Sequence, residues 1–142
     1  MSFITDLKHG QQKERKLQEM LEKQFPGSSF EESPKLKEWD FKHTKPDGSV
    51  TAWEVKSDRM APLTGNIAVE IESRGKTSGI KATTADMWCY FVCGEYWALP
   101  TDKLIQCLKE YSHKKVRGGD NNTSVLLLLK LEHFKNFATL IE

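Results

Sequence analysis

The chain has 142 residues, with 21 lysines and arginines against 20 aspartates and glutamates and a formal net charge of +1. That length fits one domain with a core of its own, residues 1–142, and the balanced charge excludes the uniformly basic surface of a generic nucleic-acid coat protein. There is no apolar run long enough to span a membrane and no charged-apolar-small order at the N-terminus, so the expectation is a soluble, intracellular, cytoplasmic protein with no membrane partner. Cys89, Cys93 and Cys107 show no CxxC or zinc spacing, and His9, His43, His113 and His133 form no HxxxH pair. Neither a disulfide framework nor a zinc site is expected.

In chain order, Met1 to Gly10 reads as a lead-in. Gln11 to Gln24 reads as an amphipathic helix, with Leu17, Met20, Leu21 and Phe25 at helical spacing and Pro26-Gly27 as its stop. Ser28 to Lys37 is a polar connection in which Ser33-Pro34 disfavours regular structure. Trp39 to Lys56 then reads as one β-hairpin. Lys45-Pro46-Asp47-Gly48-Ser49 is a turn sequence: proline presets φ for a type I turn, and glycine takes the left-handed position. If Lys45 faces Ser49, then Phe41 faces Trp53, Asp40 faces Glu54 and Trp39 faces Val55.

Side-chain alternation puts Trp39, Phe41, Trp53 and Val55 on one face and Asp40, Lys42, Glu54 and Lys56 on the other. Opposed residues have Cβ atoms roughly 4.5–5.5 Å apart, a separation at which two carboxylates repel unless a cation lies between them. Mg²⁺, with Mn²⁺ as its substitute, suits such a pair, because it takes oxygen ligands and is commonly held by one or two carboxylates together with waters and substrate phosphate. Lys56, on the same face, could orient the attacking water or neutralise charge that develops on the phosphate.

Beyond the hairpin, Ser57 to Gly65 is a loop with Pro62, and Asn66 to Glu72 alternates Ile67, Val69 and Ile71 against polar neighbours as a third strand of the meander. A solvated face is the expectation for Glu70 and Glu72. Ser73 to Lys81 contains Gly-Lys-Thr but lacks the first glycine of a nucleotide-binding loop. It reads instead as a basic loop whose Arg74, Lys76, Ser78 and Lys81 are candidate contacts to a DNA backbone. Met87 to Cys93 and Tyr96 to Leu99 are strands four and five, with Cys89 and Cys93 facing one side as small apolar residues. Pro100 to Ser112 is a helix capped by Thr101 or Asp102. His113 to Asn122 is a basic loop, Val125 to Leu129 a last strand, and Leu131 to Leu140 a short helix.

Asp40, followed after a hairpin by Glu54-Val55-Lys56, resembles the D…ExK signature of the PD-(D/E)XK nuclease superfamily, with Trp39 where that family often has proline. The element order from Gly10 to Tyr111 resembles its core as well. The resemblance implies an α/β, single-domain, restriction-endonuclease-like sandwich with a central mixed β-sheet of about five strands flanked by helices. It implies that Asp40, Glu54 and the carbonyl of Val55 bind the metal and that Lys56 is the catalytic lysine. Gly10-Gln11-Gln12-Lys13-Glu14 is similar to the first-helix Gly-x-x-x-Glu of junction resolvases, which adds Glu14 as an accessory ligand. The expected function is that of a Mg²⁺-dependent DNA endonuclease resembling the small, phage-type Holliday-junction resolvases, a homodimer acting on branched DNA. The alternatives are a restriction-type or exonucleolytic nuclease of the same superfamily and a DNA-binding module that no longer cleaves.

Overall fold

A computed structural model of the chain describes residues 3–34, 39–111, 114–118 and 122–142. In it the turn closes as its residues require. Lys45 N–H donates to the Ser49 carbonyl at 2.9 Å and Gly48 N–H to the Lys45 carbonyl at 2.9 Å. The Asp47 carboxylate accepts the Ser49 N–H at 2.9 Å, and Gly48 sits at φ 91°. Strands β2 (Phe41–Thr44) and β3 (Val50–Ser57) therefore pair in the expected register, Phe41 opposite Trp53 and His43 opposite Thr51.

The structure is mixed α/β. Its central mixed sheet has six strands in the order β1-β2-β3-β6-β7-β10, where β1 is Ser29–Glu32, β6 Met87–Val92, β7 Glu95–Pro100 and β10 Thr139–Ile141. Only β3 and β6 run parallel, pairing Val55 with Cys89 and Lys56 with Tyr90. That pairing occupies the free edge of β3, so the expected meander does not form. Strand β4 (Asn66–Ser73) turns away into a second, four-stranded sheet, β5-β4-β9-β8, with β5 at Lys76–Thr77, β8 at Lys114–Gly118 and β9 at Ser124–Lys130. The crossover that joins parallel strands, usually a helix, is here a single-turn helix α2 (Ala61–Thr64) and part of the second sheet.

Each face of the central sheet has its own core. Helix α1 (Phe3–Gln24) lays Leu17 and Leu21 on Phe41, Trp53, Cys89 and Tyr96, and the Tyr96 hydroxyl donates to the Lys13 carbonyl at 2.9 Å. Trp88, Tyr90 and Val92 point the other way. They pack on Ile67, Val69 and Ile71 of β4, on Leu129 of β9, and on helices α3 (Thr101–Glu110) and α4 (Leu131–Phe137) through Leu104, Cys107 and Phe134. Among the described residues, no helix is long and apolar enough to cross a membrane.

Several local expectations change. Trp39 packs with the second core, away from Phe41 and Trp53. The ladder between β2 and β3 ends at Phe41, and Asp40 N–H donates to the same Trp53 carbonyl region at 2.7 Å, so the strict alternation breaks one residue before Phe41. The first helix begins at Phe3 rather than Gln11, since Phe3 and Leu7 continue the helical spacing. Residues 29–32 of the expected connection are a strand, secured where Phe30 stacks on the buried His43 at 4.9 Å. The Ser28 hydroxyl donates to the Phe25 carbonyl and so accepts from His43 Nε2 at 2.7 Å. Burial holds His43 below its ordinary pKa, and it is a core residue.

Lys114–Gly118, expected in a loop, pairs with β9. The C-terminal helix stops at Phe137, and Thr139–Ile141 joins the edge of the central sheet. The Thr101 hydroxyl bonds the Ala85 carbonyl at 2.7 Å instead of capping α3. Cys93 is exposed in the β6–β7 turn at φ 51°, away from the buried Cys89. The parts of the expected connection, lead-in and basic loop at 1–2, 35–38, 113 and 119–121 lie outside the described residues.

One glycine is irreplaceable for a packing reason. Gly79 (φ 56°) lies so close to β4 that an added Cβ would meet the Glu70 carbonyl oxygen at 2.1 Å, whereas Gly75 (φ 76°) faces open space. Gly79→Ala should cost roughly 2–4 kcal/mol of stability and Gly75→Ala about 1 kcal/mol, the second being the left-handed penalty alone. Equal unfolding midpoints for the two variants in urea would contradict this packing.

Candidate metal centre and cleft

Where β2 stops, Val55 has no strand partner for its N–H on that edge. The Asp40 carboxylate takes the bond at 2.6 Å through Oδ2. This short, charge-assisted contact fixes the first acid against the strand that carries the second. Glu54 and Lys56 share a face of β3, and their side chains meet at 3.3 Å with 18% and 40% of their surfaces exposed. The lysine is thus the more accessible member of the pair. Its ammonium also lies 5.8 Å from the Trp88 ring centroid.

Three carboxyls in this region are harder to ionise than usual. Burial raises the Asp40 pKa, opposed by the Val55 N–H and by Lys56. Burial also raises Glu54, with Lys56 lowering it and the charge of Asp40 raising it further. Glu14, on α1, is pushed up to about 8 by burial first and then by Asp40, Glu32 and Glu54. The fold therefore gathers Glu14, nominated by the Gly-x-x-x-Glu spacing, into the field of the hairpin acids. Glu32 is a fourth member, one of several acids that the sequence concentrates near the hairpin, and it was not nominated as a ligand. It lies at the end of β1 opposite Phe41, and the signal was Phe30-Glu31-Glu32, a strand too short to stand out beside Pro34.

Among the described residues, no group of three or more His, Cys, Asp or Glu side chains is gathered tightly enough to hold a metal by itself. The donor set is two acids with an oxygen-only character. That excludes a structural zinc site and fits Mg²⁺, which keeps several waters and needs only one or two carboxylates beside substrate oxygens. Burial is the main cause of the raised Glu54 pKa, with the charge of Asp40 adding to it, and a divalent ion beside the two acids would offset both.

Glu54 and Lys56 open into a cleft of about 690 Å³, also lined by Glu70, Arg74, Lys76 and Trp88. The far wall is the β4–β5 hairpin, whose two-residue turn has Arg74 at φ 52° and Gly75 at φ 76°, both left-handed as a type I′ turn demands. Glu70 is not solvated as its strand pattern suggested. It sits at an irregularity in the β4–β9 register, and its carboxylate accepts the Ser78 hydroxyl at 2.9 Å and the Ser124 hydroxyl at 3.0 Å. Of the four candidate DNA contacts, Arg74, Lys76 and Ser78 line this cleft. Lys81 does not. The single 3₁₀ turn Gly79–Lys81 buries Ile80 and carries Lys81 to a neighbouring apolar groove beside Ile105 and Leu108. No protein-family model, no curated protein and no solved structure matches the chain.

The raised carboxyls set a pH dependence. Glu14 ionises at its ordinary pKa of 4.5 when unfolded but near 8 when folded, so the folded state holds the extra proton between those values. Stability should fall as pH rises from about 5 to 8 and level off above. Glu14→Gln should flatten that slope, and Mg²⁺ should raise the melting temperature more at pH 8 than at pH 6, because protons compete for the same oxygens. Thermal melts of both proteins across that range check this, and an unchanged slope in Glu14→Gln would contradict it.

Proposed function

We propose that this chain is a Mg²⁺-dependent deoxyribonuclease of the PD-(D/E)XK kind, acting on branched or otherwise structured DNA as a resolvase does. The observation that carries the reading is that Asp40, tied to the Val55 N–H, acts on the charge of Glu54, while Glu54 and Lys56 meet at 3.3 Å in a cleft they line together with Arg74 and Lys76; Asp40 itself stands outside the cleft lining. Structural chance brings two acids together often enough. It less often adds an exposed lysine on the same strand face and basic residues across a cleft.

Asp40 and Glu54 would hold the ion. When bound, it supplies Lewis-acid polarisation of the phosphodiester and a water more readily deprotonated than in bulk. The chain's own residues do the rest. Asp40 is oriented by the Val55 N–H and keeps its other carboxylate oxygen available. Lys56 presents an ammonium to the cleft, where it neutralises charge that grows on the phosphate in the transition state. Arg74 and Lys76 receive phosphates beside the one attacked. The Ser78 hydroxyl is committed to Glu70, so its role is to hold the wall.

Labelled flap, junction, duplex and single-stranded DNA with Mg²⁺, Mn²⁺ or EDTA test the reading. The wild-type protein should cut only with metal. Asp40→Asn and Glu54→Gln should abolish cutting without lowering the melting temperature of the apo-protein, since both relieve repulsion. Lys56→Ala should keep metal binding and lose about 10²–10³ in rate, the scale of removing one preorganised charge. Metal-dependent cutting that survives Lys56→Ala, or a marked loss of stability in the acid variants, would make these side chains structural.

A further inference from the structure

The cleft has a shape that the nuclease reading alone does not explain. At about 690 Å³ it falls within the roughly 300–1,000 Å³ that encloses a drug-sized ligand. That is room for a stretch of one or two nucleotides. A paired helix offers such a cleft only the outer backbone of one strand, whereas an unpaired strand can enter it.

The walls make the same point. The β4–β5 turn is tied across to the segment before β9, because Arg74 N–H donates to the Thr123 carbonyl at 2.8 Å. Glu70 ties the same two walls lower down, taking Ser78 from one and Ser124 from the other. These two cross-links bound the cleft on the side away from Lys56. Gly79 packs against the Glu70 carbonyl so closely that the hairpin has no room to settle nearer to β4.

The chemistry of the lining is that of a backbone reader. Two cations, Arg74 and Lys76, stand on the exposed rim of the hairpin. Ser73, Thr77 and Thr83 also line the cleft, and their hydroxyls suit phosphate and sugar oxygens more than base edges. Trp88 is 1% exposed and lines the cleft, and its indole N–H has no hydrogen-bond partner among the described residues. A buried donor of that kind is rarely left unmet.

We infer that this cleft takes one unpaired DNA strand, with the phosphate to be cut at Lys56 and Glu54 and the next phosphate against Arg74 and Lys76. The inference rests on the nuclease reading of the site and narrows it. The preferred substrate is a strand that leaves the helix at a fork, flap or branch point, over the same backbone in an unbranched duplex. Glu70 is a positioning residue that holds both walls.

Two measurements on one variant pair test this. Fluorescence anisotropy in EDTA reads binding of labelled oligothymidylate and of a blunt duplex to wild type and to Arg74→Gln/Lys76→Gln. Both substituted side chains are on the exposed rim, so the variant should fold, and its melting temperature verifies that. The wild type should bind the single strand at least about tenfold more tightly than the duplex. The double variant should lose about tenfold on the single strand, with a shallower salt dependence. In Mg²⁺, a flap should be cut faster than the blunt duplex. Equal binding and cutting of the two DNAs, or no effect of the double variant on the single strand, would overturn the proposal while leaving the nuclease reading intact. If nothing is cut, the nuclease reading falls, and the binding measurement alone decides: a single-strand preference that depends on Arg74 and Lys76 supports the cleft assignment, and its absence overturns it.

Discussion

A central strand that carries charge is the constraint around which this structure is arranged. β3 is paired on both edges, covered by α1 on the face of Trp53 and Val55, and open to the cleft on the face of Glu54 and Lys56. An apolar sequence would satisfy such a position at least cost. Instead Glu54 and Lys56 interrupt it, and taking two charges out of water is unfavourable unless each finds a partner. They find each other at 3.3 Å and keep contact with solvent through the cleft. Asp40 is held just beyond the end of β2 by a bond to β3 itself. The raised pKa values of Asp40, Glu54 and Glu14 register what remains unsatisfied: three carboxyls share a partly dry space without enough positive charge.

This deficit of positive charge links fold to chemistry. A protein that needed these acids only for stability would supply each with an arginine or an N-terminal helix turn. Here Lys56 is the near cation and serves Glu54 chiefly, while Arg74 and Lys76 stand across the cleft. Under the proposed function, a divalent ion and then a substrate phosphate would change this balance of charge. The site is strained in its electrostatics and well satisfied in its backbone.

The hairpin was legible because its information is local. Pro46-Asp47-Gly48 fixes the turn, and the turn fixes the register as far as Phe41 opposite Trp53; Asp40, one residue further on, leaves the ladder and reaches β3 through its carboxylate on the Val55 N–H instead of as the strand partner of Glu54. Helix α1 and the strands β6 and β7 were readable from periodicity in the same way. What could not be read was partnership. The alternation of Ile67, Val69 and Ile71 identifies a strand but not which sheet it joins, and the parallel pairing of Val55 with Cys89 that expels β4 is a contact between distant segments. Glu70 follows from this. A strand in the expected meander would have turned it to solvent, whereas a strand in the second sheet places it between Ser78 and Ser124. Lys81 was misplaced by a single 3₁₀ turn, too short to leave a periodic signal. Trp39 was misplaced because alternation was extended two residues past the end of its ladder at Phe41.

Metal binding by the hairpin acids is the central claim, and Mn²⁺ titration followed by electron paramagnetic resonance tests it without requiring any substrate. The free six-line Mn²⁺ signal should diminish on adding the wild-type protein at pH 8 and stay diminished with Lys56→Ala. With Asp40→Asn/Glu54→Gln it should remain that of the free ion. A wild-type protein that leaves the signal untouched, or a double variant that quenches it equally, would contradict the account and return Asp40 and Glu54 to the role of structural acids.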